Sequence, residues 1–367
     1  MRPVFLISDL LFFALIAALA VYALSLRHKP SDRAAWGRVF TSSVGKWSSI
    51  LLVFFVLIGT VDSLHYQVNK DPEVLSALDT LLSPLRLAKE KTYSAPLADT
   101  LYVKENVVQP DGTVKREAPP LKHRHLMGTN KVGQDVFYLA IKGIRTGLMI
   151  GMLTTLITLP FAIGLGLSAG YFGGRIDDAI QYIYTTLNSI PSVLLIAATV
   201  LVVDVQIERY ADKIGSAAER ADYRLLALCA ILGLTQWTGL ARLLRAETLK
   251  LRELEYIQAA KAFQVNVARI LMRHVLPNVG HLILITVVLD FSGLVLAEAV
   301  LSYVGAGVDP STPSWGSMIN GARLELAREP LVWWQLVTAF VFMFGLVMSA
   351  NLFADQVRDA FDPRASS

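Results

Sequence analysis

The sequence is poor in the residues that secreted proteins and soluble enzymes usually rely on. Of its 367 residues only 17% are charged, and a single one, Cys229, is a cysteine. One cysteine excludes an intramolecular disulfide, and its position within an apolar run predicts a small packing residue. The low charge and a mean hydropathy of +0.48 indicate a membrane protein.

Motifs for nucleotide binding and catalysis are also missing. The sequence contains no GxxxxGK[ST], HExxH or CxxC pattern, which excludes a Walker A phosphate loop and a zinc-protease helix. His123 and His125 flank Arg124, whose charge would repel a metal ion, so a solvated loop is favoured there. The sequence therefore predicts a protein that is not an enzyme and that itself binds no cofactor or metal.

Long apolar stretches with few or no charges are abundant instead. About 20 apolar residues span the hydrocarbon core of a bilayer. Seven runs approach or exceed this length, namely 4–26, 47–61, 146–172, 179–203, 225–241, 275–304 and 331–354. Because lipid offers no hydrogen-bond partners to open backbone, all seven are predicted to be helices. The predicted fold class is an all-α membrane protein, a polytopic bundle of about seven transmembrane helices.

Clusters of cationic residues predict the orientation of the bundle. One cluster lies between the first two spans and comprises Arg27, Lys29, Arg33, Arg38 and Lys46. A second lies within 242–273. Both loops are cytoplasmic under the positive-inside rule, and the even number of spans between them makes the two assignments agree. The N-terminus is then outside and the C-terminus cytoplasmic. Loop orientation also explains the pI near 9.0 better than nucleic-acid binding does.

The first apolar run has two interpretations. It ends in AALAVYALS, which resembles the end of a cleaved signal peptide. However, its apolar stretch exceeds the usual length of about 7 to 15 residues, and its n-region holds only Arg2. Cleavage would also leave the first basic loop outside. A retained membrane anchor is therefore favoured.

The segment 71–135 is the one sizeable polar stretch, and the span count places it outside. Residues 73–91 have helical periodicity, and the sequence around Pro110, Asp111 and Gly112 predicts a β-hairpin. The predicted organisation is an N-terminal anchor with a basic linker (1–45), a membrane helix (46–66), this outer loop (67–136), a core of membrane helices (137–356) and a cytoplasmic tail (357–367).

Two features within the spans carry information about packing and function. Gly143, Gly147 and Gly151 recur every fourth residue and form a small-residue ridge, suited either to packing within the chain or to a subunit interface. Asp290 and Glu298 lie in one predicted span, where ionisable groups usually face a cavity or a protein interior. About 12 Å of helix separates them, too far to share one ion. Solvation near the outer interface is a second interpretation for Glu298.

The stretch EYIQAAKAFQVNVARILMRHVLPN, residues 255–278, has the pattern of an amphipathic helix. Its apolar residues recur every three or four positions and are predicted to share one face. They are Tyr256, Ala259, Ala260, Phe263, Val267, Ile270 and Leu271.

This stretch resembles the EAA loop of ABC-importer permeases, with a pattern of roughly EAA-x3-G-x9-I-x-LP. Gln258, Ala259 and Ala260 stand at the EAA positions, Gln264 at the glycine, and Pro277 at the final proline. Other stretches resemble the dipeptide/oligopeptide (Dpp/Opp) group, and within it the C-type subunit. They are HLMGTNKVGQDVF, AGYFGGRIDD, IPSVLLIA, EAVLSYVGAGVDPSTPSWGSMI and VRDAFDPR. The resemblance runs from about residue 37 to residue 364.

The resemblance implies a type-1 ABC permease fold and a division of labour between subunits. A homologous B-type permease would share the pathway, a substrate-binding protein would deliver peptide, and two cytoplasmic ATPases would bind ATP and Mg. The loop 246–277 would couple to one ATPase. Its candidate residues are Tyr256, Gln258, Ala259, Ala260, Phe263, Gln264, Arg273 and Pro277.

The resemblance also bears on the pathway and the substrate. Asp290 and Glu298 are candidates for the pathway or its gate, since Glu298 matches a glutamate common in the group. Di- or oligopeptides are the expected substrates, with nickel, opines and peptide-like antibiotics as alternatives. A secondary transporter and a membrane-bound enzyme are rival classes. Neither repeated halves nor a catalytic polar cluster supports them.

The sequence departs from the family pattern at several positions. Gln258 replaces Glu, while Asn130 and Gln134 replace Asp and Arg in the motif before the third span. Gln264 replaces a glycine that permits a positive-φ turn between two short helices, so a loop that continues as one helix is an alternative. The first span is additional, and the 71–135 loop is longer than usual.

Overall fold

Helices make up most of the computed structural model, which describes residues 2–25, 30–67, 74–108, 114–210, 214–323, 325–327 and 329–361. The helices are α1 (Ile7–Ser25), α2 (Pro30–Thr41), α3 (Ser43–Asp62), α4 (Ala77–Leu81), α5 (Ser83–Leu87), α6 (Val136–Phe172), α7 (Gly174–Ser189), α8 (Ser192–Arg209), α9 (Ala217–Gln236), α10 (Thr238–Leu251), α11 (Glu255–Ala262), α12 (Val267–Ile270), α13 (Leu276–Val304), α14 (Trp315–Arg323) and α15 (Trp334–Phe361). A π-helix (Leu271–Val275) and a 3₁₀-helix (Glu325–Ala327) complete this set. The strands are β1 (Arg2–Val4), β2 (His65–Gln67), β3 (Val74–Ser76), β4 (Glu105–Val108) and β5 (Val114–Glu117).

The number of membrane-spanning segments agrees with the prediction of about seven helices. In the described ranges six segments are long and apolar enough to cross a bilayer, and α7 with α8 forms a seventh that is bent by 87°. The sequence predicted one helical span over 179–203, and the structure divides this span into α7 and α8. Ile190 and Pro191 interrupt it, because proline has no N–H to donate and disfavours helical geometry in the residue before it.

The two ends of the bundle carry different parts of the chain. Strand β1 pairs antiparallel with β2, and β2 pairs antiparallel with β3, so the N-terminal strand lies beside the 74–135 segment. We call this the outer end. At the opposite, inner end, Trp36 of α2 stacks on Phe353 and contacts Phe361 edge-on, and Arg38 donates a hydrogen bond to the Ala360 carbonyl at 2.5 Å. The assignment of these ends to the two sides of the membrane stays a prediction.

Buried polar contacts hold the first helix against the bundle. The Asp9 carboxylate accepts a hydrogen bond from Arg145 Nη2 at 2.5 Å and lies 2.8 Å from His65 Nδ1. The neighbouring Ser8 hydroxyl donates to Asp222, and all four of these chain segments meet at the outer end. An uncompensated buried charge costs several kcal/mol. Whether the first run is retained as an anchor stays a prediction.

In its described residues, the outer segment (74–135) consists of short helices and strands joined by turns. The predicted hairpin is confirmed in its strands, since β4 pairs antiparallel with β5. Its predicted turn residues, Pro110, Asp111 and Gly112, lie outside the described residues. The helical periodicity of 73–91 resolves into β3 and the two five-residue helices α4 and α5. A single helix does not form because Pro84 begins the second one.

His125 lies in the protein interior, so the prediction of a solvated loop was wrong for this residue. Its side chain is 1% exposed, and Nδ1 lies 2.8 Å from Asp135 Oδ2. The other oxygen of Asp135 accepts a hydrogen bond from the Tyr138 N–H and so caps the first turn of α6. This pair fixes the outer segment to the start of the longest helix.

An amide pair replaces the charged pair expected before α6. Asn130 Oδ1 accepts hydrogen bonds from the N–H groups of Val132 and Gln134, and Asn130 Nδ2 donates to Gln134 Oε1 at 3.0 Å. Gly133 has φ +72° in this turn. Positions 130 and 134 are therefore joined in this chain by neutral side chains.

The glycine ridge on α6 packs within the chain. A Cβ at Gly147 would lie 3.0 Å from the ring of Trp315, and a Cβ at Gly151 would lie 2.4 Å from the ring of Phe291. Gly143 also faces Trp315, whose Nε1 donates to the Ala140 carbonyl at 2.9 Å. The ridge accommodates two large aromatic rings, which agrees with the interpretation of packing within the chain.

A second set of small residues on α6 packs against α10. A Cβ at Gly166 would lie 2.7 Å from the Ala241 carbonyl oxygen, and one at Gly170 would lie 2.6 Å from Thr248 Cβ. Residues 166–170 have the spacing GxSxG, but they lie in continuous helix and not in the strand-to-helix turn of a serine nucleophile. Close helix packing explains these glycines.

Candidate functional site

A polar cavity of about 620 Å³ lies among the membrane-spanning helices. This volume is typical of a site for a small molecule. The cavity lies between α6, α13 and the junctions α7–α8 and α9–α10. Its polar lining residues are Thr155, Thr158, Asn188, Ser192, Thr235, Gln236, Thr238, Arg242, Thr286 and Asp290.

One interrupted helix and one continuous span meet at this cavity. The interruption is Ile190–Pro191, whereas α9 and α10 follow each other as one long span through Trp237, whose backbone stays helical. The Thr238 hydroxyl donates to Asn188 Oδ1 at 3.2 Å and joins the two junctions. Interrupted backbone at membrane depth is tolerated where it is buried or lines a cavity. The geometry is that of a polar cavity beside one discontinuous span.

Asp290 is the acidic residue of the cavity wall. It lies at the middle of α13 and is exposed in this chain. No described residue forms a hydrogen bond or an ion pair with its carboxylate. The structure thus places Asp290 where a pathway residue would be expected, while its role stays a prediction.

Glu298 lies elsewhere, so the structure supports neither the solvated interpretation nor a place in the wall of this cavity. Its side chain is 3% exposed, and its carboxylate accepts hydrogen bonds from Ser302 Oγ at 2.7 Å, Ser314 Oγ at 2.8 Å and the Gly316 N–H at 3.3 Å. Glu298 therefore holds the 305–316 loop against α13. Sequence reasoning missed this because its partners at 314–316 lie in another segment.

A network around Arg224 closes the outer end of the bent span. Arg224 pairs with Asp309 of the 305–316 loop, and the Arg224 Nε lies 3.2 Å from Asp204 Oδ1 on α8. Burial alone would raise the pKa of Asp309, but hydrogen bonds from Ser311 and the pairing with Arg224 lower it below its ordinary value. The network joins α8, α9 and the 305–316 loop, and no sequence pattern indicated it.

A second cavity, of about 940 Å³, lies at the outer end and differs in its electrostatics. Lys142 Nζ lies 2.6 Å from Asp62 Oδ1 and 3.0 Å from Asp79 Oδ1. Burial alone would raise the pKa of Asp79, but Lys142 and the Tyr138 hydroxyl lower it overall. These charges of the outer cavity are paired within the chain, whereas Asp290 is unpaired among the described residues.

The predicted amphipathic helix over 255–273 is wrong, because the segment folds as two short helices. Helix α11 ends at Ala262, and Gln264 adopts φ +55° before α12 begins at Val267. The Gln264 N–H donates to the Lys261 carbonyl at 2.9 Å, and the Val265 N–H donates to the Ala260 carbonyl at 3.0 Å. These two bonds form a Schellman motif. The family's turn is therefore kept without glycine, and the continuous-helix alternative is excluded.

The break divides the predicted apolar face into a buried and an exposed set. The buried set joins what we call the inner cluster, which comprises Ala162, Leu167, Tyr171, Trp237, Leu240, Ala241, Leu244, Ile257, Ile270, Val275 and Val279. Ala260, Val267 and Leu271 pack against it. Tyr256, Phe263 and Met272 are exposed, and Phe263 is exposed by 83%. Two short helices thus present an aromatic surface beyond the end of the bundle while resting on α6 and α10.

Comparison with known proteins agrees with this architecture. Residues 162–367 match the family described as the binding-protein-dependent transport system inner membrane component. The chain belongs to this family. It is a permease component of an ABC transport system, a multi-pass protein of the inner membrane, and not an enzyme.

Individual relatives of this permease carry peptide-transport names. It is 29% identical over 252 residues to the dipeptide transport system permease protein DppC of Lactococcus lactis, covering 69% of this chain and 67% of that protein. It is 31% identical over 261 residues to the oligopeptide transport system permease protein OppC of Mycobacterium tuberculosis, covering 71% and 80%. The glutathione transport system permease protein GsiD of Pectobacterium atrosepticum is 31% identical over 243 residues, covering 66% and 74%.

The remaining loop residues of the permease have local structural roles. Gln258 Nε2 donates to the Arg252 carbonyl at 2.8 Å, a bond that the family's ionised glutamate could not make because it lacks a donor. Arg273 is exposed within the π-helix that precedes α13. Pro277 lies in the first turn of α13, where its missing N–H costs nothing, and the π-helix changes the backbone register just before it.

Proposed function

We propose that this permease imports di- or oligopeptides as one of two membrane subunits of an ABC importer. The observation that carries the proposal is the two-helix loop, which exposes Tyr256, Phe263 and Met272 at the inner end of a bundle that contains a polar cavity. The names of the relatives, which refer to dipeptides, oligopeptides and glutathione, support peptides as the substrate class.

The pathway would require a second permease subunit. Asp290 is exposed in this chain alone and lines the cavity, so a homologous B-type partner would complete the opposite wall. A substrate-binding protein would deliver peptide at the outer end. In this orientation the N-terminus is outside and the C-terminus is cytoplasmic.

Energy would come from two cytoplasmic ATPases that bind ATP and Mg. Their groove would take the exposed side of α11 and α12, because Phe263 and Tyr256 offer aromatic contact there. On the other side Ile257 and Ile270 are fully buried against α6 and α10. A movement of the ATPase would thus be passed as a rigid-body displacement to the helices that line the cavity.

The contact on the ATPase can be tested with a matched pair of substitutions. The Phe263→Asp permease should no longer copurify with the ATPase subunits and should no longer take up peptide, because the substitution places a charge in the contact. Leu81→Asp makes the same change at an outer residue that is 71% exposed, and should keep the ATPases bound. Retention of the ATPases by the Phe263→Asp complex would contradict the proposed contact.

Ala259 and Ala260 of α11 differ in their value as probes of the ATPase contact. Ala260 packs against the inner cluster, so Ala260→Glu would disturb the permease itself as well as the contact. Ala259 is exposed on the same helix and is the better of the two alanines for probing a groove. Ala259→Glu should reduce ATPase stimulation by loaded binding protein while the permease still inserts and pairs.

A further inference from the structure

We propose that the Asp290 carboxylate is the counter-ion for a positively charged group of the solute as it crosses the cavity. This inference rests on the proposed function and adds a chemical preference to it. The group that a peptide offers is a lysine or arginine side chain, which is cationic near neutral pH and distinguishes peptides that share a terminal ammonium.

The first argument is the position of Asp290. An ionisable side chain in a membrane span is costly and usually pairs with another group or faces a water-filled cavity. Asp290 lies at the middle of α13 and lines the cavity, and it has no hydrogen bond or ion pair with any residue that the structure describes. Its carboxylate is therefore available to a group that enters the cavity.

The second argument is the character of the remaining wall. Apart from Arg242, the other polar lining groups are hydroxyls and amides, such as Thr155, Thr158 and Asn188. Arg242 also lines the cavity, with its guanidinium carbon 5.8 Å from the centre of the Tyr184 ring, and within the described residues it forms no ion pair with Asp290. The neutral groups can hydrogen-bond a peptide backbone of any sequence, whereas Asp290 distinguishes charge.

The third argument is the contrast with the acidic residues at the outer end. Asp9 pairs with Arg145, and Asp62 and Asp79 pair with Lys142. Those carboxylates already have cationic partners and stabilise the fold. Asp290 has the same chemistry without such a partner among the described residues, as expected of a group that meets its cation only when solute passes.

A cleft lined by one sign of charge between low-dielectric walls raises the local concentration of opposite charge by about 10-fold to 1,000-fold, and the presence of Arg242 in the same wall places this cavity at the lower end. We therefore expect about a tenfold preference for cations at the cavity wall. Thr286 lies one helical turn before Asp290 and lines the same cavity, so a thiol there reports this field. The native thiol of Cys229 is fully buried and does not interfere.

The first experiment measures that preference in the assembled importer. Thr286→Cys is labelled with a trimethylammonium and with a sulfonate methanethiosulfonate reagent, and the two rates are compared. The cationic reagent should react about tenfold faster relative to a reference thiol. The preference should vanish with Asp290→Asn and remain with Asp290→Glu. An unchanged ratio in Asp290→Asn would overturn the proposal.

The second experiment measures uptake of Lys-Ala and Ala-Glu by vesicles with unaltered binding protein. Dividing the Asp290→Asn rate by the wild-type rate for each peptide cancels the contribution of the binding protein. The loss should be at least severalfold larger for Lys-Ala. Equal losses, or failure of the Asp290→Asn complex to assemble, would show that Asp290 serves structure and would overturn the inference. Failure of the wild-type importer to take up either peptide would instead contradict the proposed function, and the labelling ratio would still report the field of Asp290.

Discussion

Replacing Gln264 with glycine should stabilise the turn between α11 and α12. Gln264 has φ +55°, a conformation that costs a residue with a Cβ about 1 kcal/mol. Glycine removes this cost and is the residue most often found at this position of a Schellman motif. The two hydrogen bonds that define the turn, Gln264 N–H to Lys261 and Val265 N–H to Ala260, remain available.

Hydrogen exchange measures this change at the turn itself. The amide of Val265 exchanges only when its bond to the Ala260 carbonyl opens. A gain of about 1 kcal/mol corresponds to about fivefold slower exchange in Gln264→Gly. Coupled ATP hydrolysis should be at or above the wild-type rate, because the geometry of the loop is unchanged.

Two control substitutions make the interpretation specific. Ala262→Gly, two residues earlier in regular helix, should speed exchange by about fivefold, since glycine costs about 1 kcal/mol there. Gln264→Val should also speed it, because β-branched residues tolerate positive φ poorly. Faster exchange or weaker coupling in Gln264→Gly would refute the left-handed turn as the basis of this loop.

Three further predictions address topology and packing. Reporters fused at Ser31 and Gly112 should be cytoplasmic and external respectively, and an external reporter at Ser31 would overturn the orientation. Asp9→Asn leaves the buried guanidinium of Arg145 without its ionic partner, so the free energy of unfolding of the purified permease should fall by about 3 to 5 kcal/mol. A loss below about 1 kcal/mol would show that the Asp9–Arg145 pair does not hold α1 against the bundle. Glu298→Gln replaces one of the two acceptor oxygens, which bind Ser302, Ser314 and the Gly316 N–H, with an amide donor, and it should increase proteolysis of the 305–316 loop and lower uptake. Unchanged proteolysis would argue against Glu298 as the anchor of that loop.

Much of the membrane architecture could be predicted from local sequence. The apolar runs and the cationic clusters each reflect the solvent around a segment, and that solvent acts on each residue separately. The hairpin of β4 and β5 was predicted for a similar reason, because its pattern lies within a few residues. The family resemblance added the location of the loop around Gln264 and its expected partners.

The candidate site was predicted only in part. Asp290 was recognised because an acidic residue within an apolar run is conspicuous, and the structure places it in a cavity. The wall that makes this cavity comes from residues between 155 and 297, which no local pattern brings together. Glu298 has the same local signature as Asp290 and yet is buried against Ser314, since its environment is set by a loop sixteen residues away.

The sequence by itself determined that this protein is a helical membrane permease, how many spans it has and where its coupling loop lies, because composition and motif order suffice for these. Only the tertiary structure decided which side chains pack against the glycine ridge, which residues pair with Asp9 and which conformation Gln264 adopts. Trp315 and Phe291 fill the ridge, and Arg145 meets Asp9 across 136 residues. Gln264 is left-handed although glycine would suit it better, because Ile257, Val265 and Ile270 are held against the inner cluster on both sides of the turn. Contacts between distant segments outweigh the preferences of single residues, and such contacts leave no periodic signal in the chain.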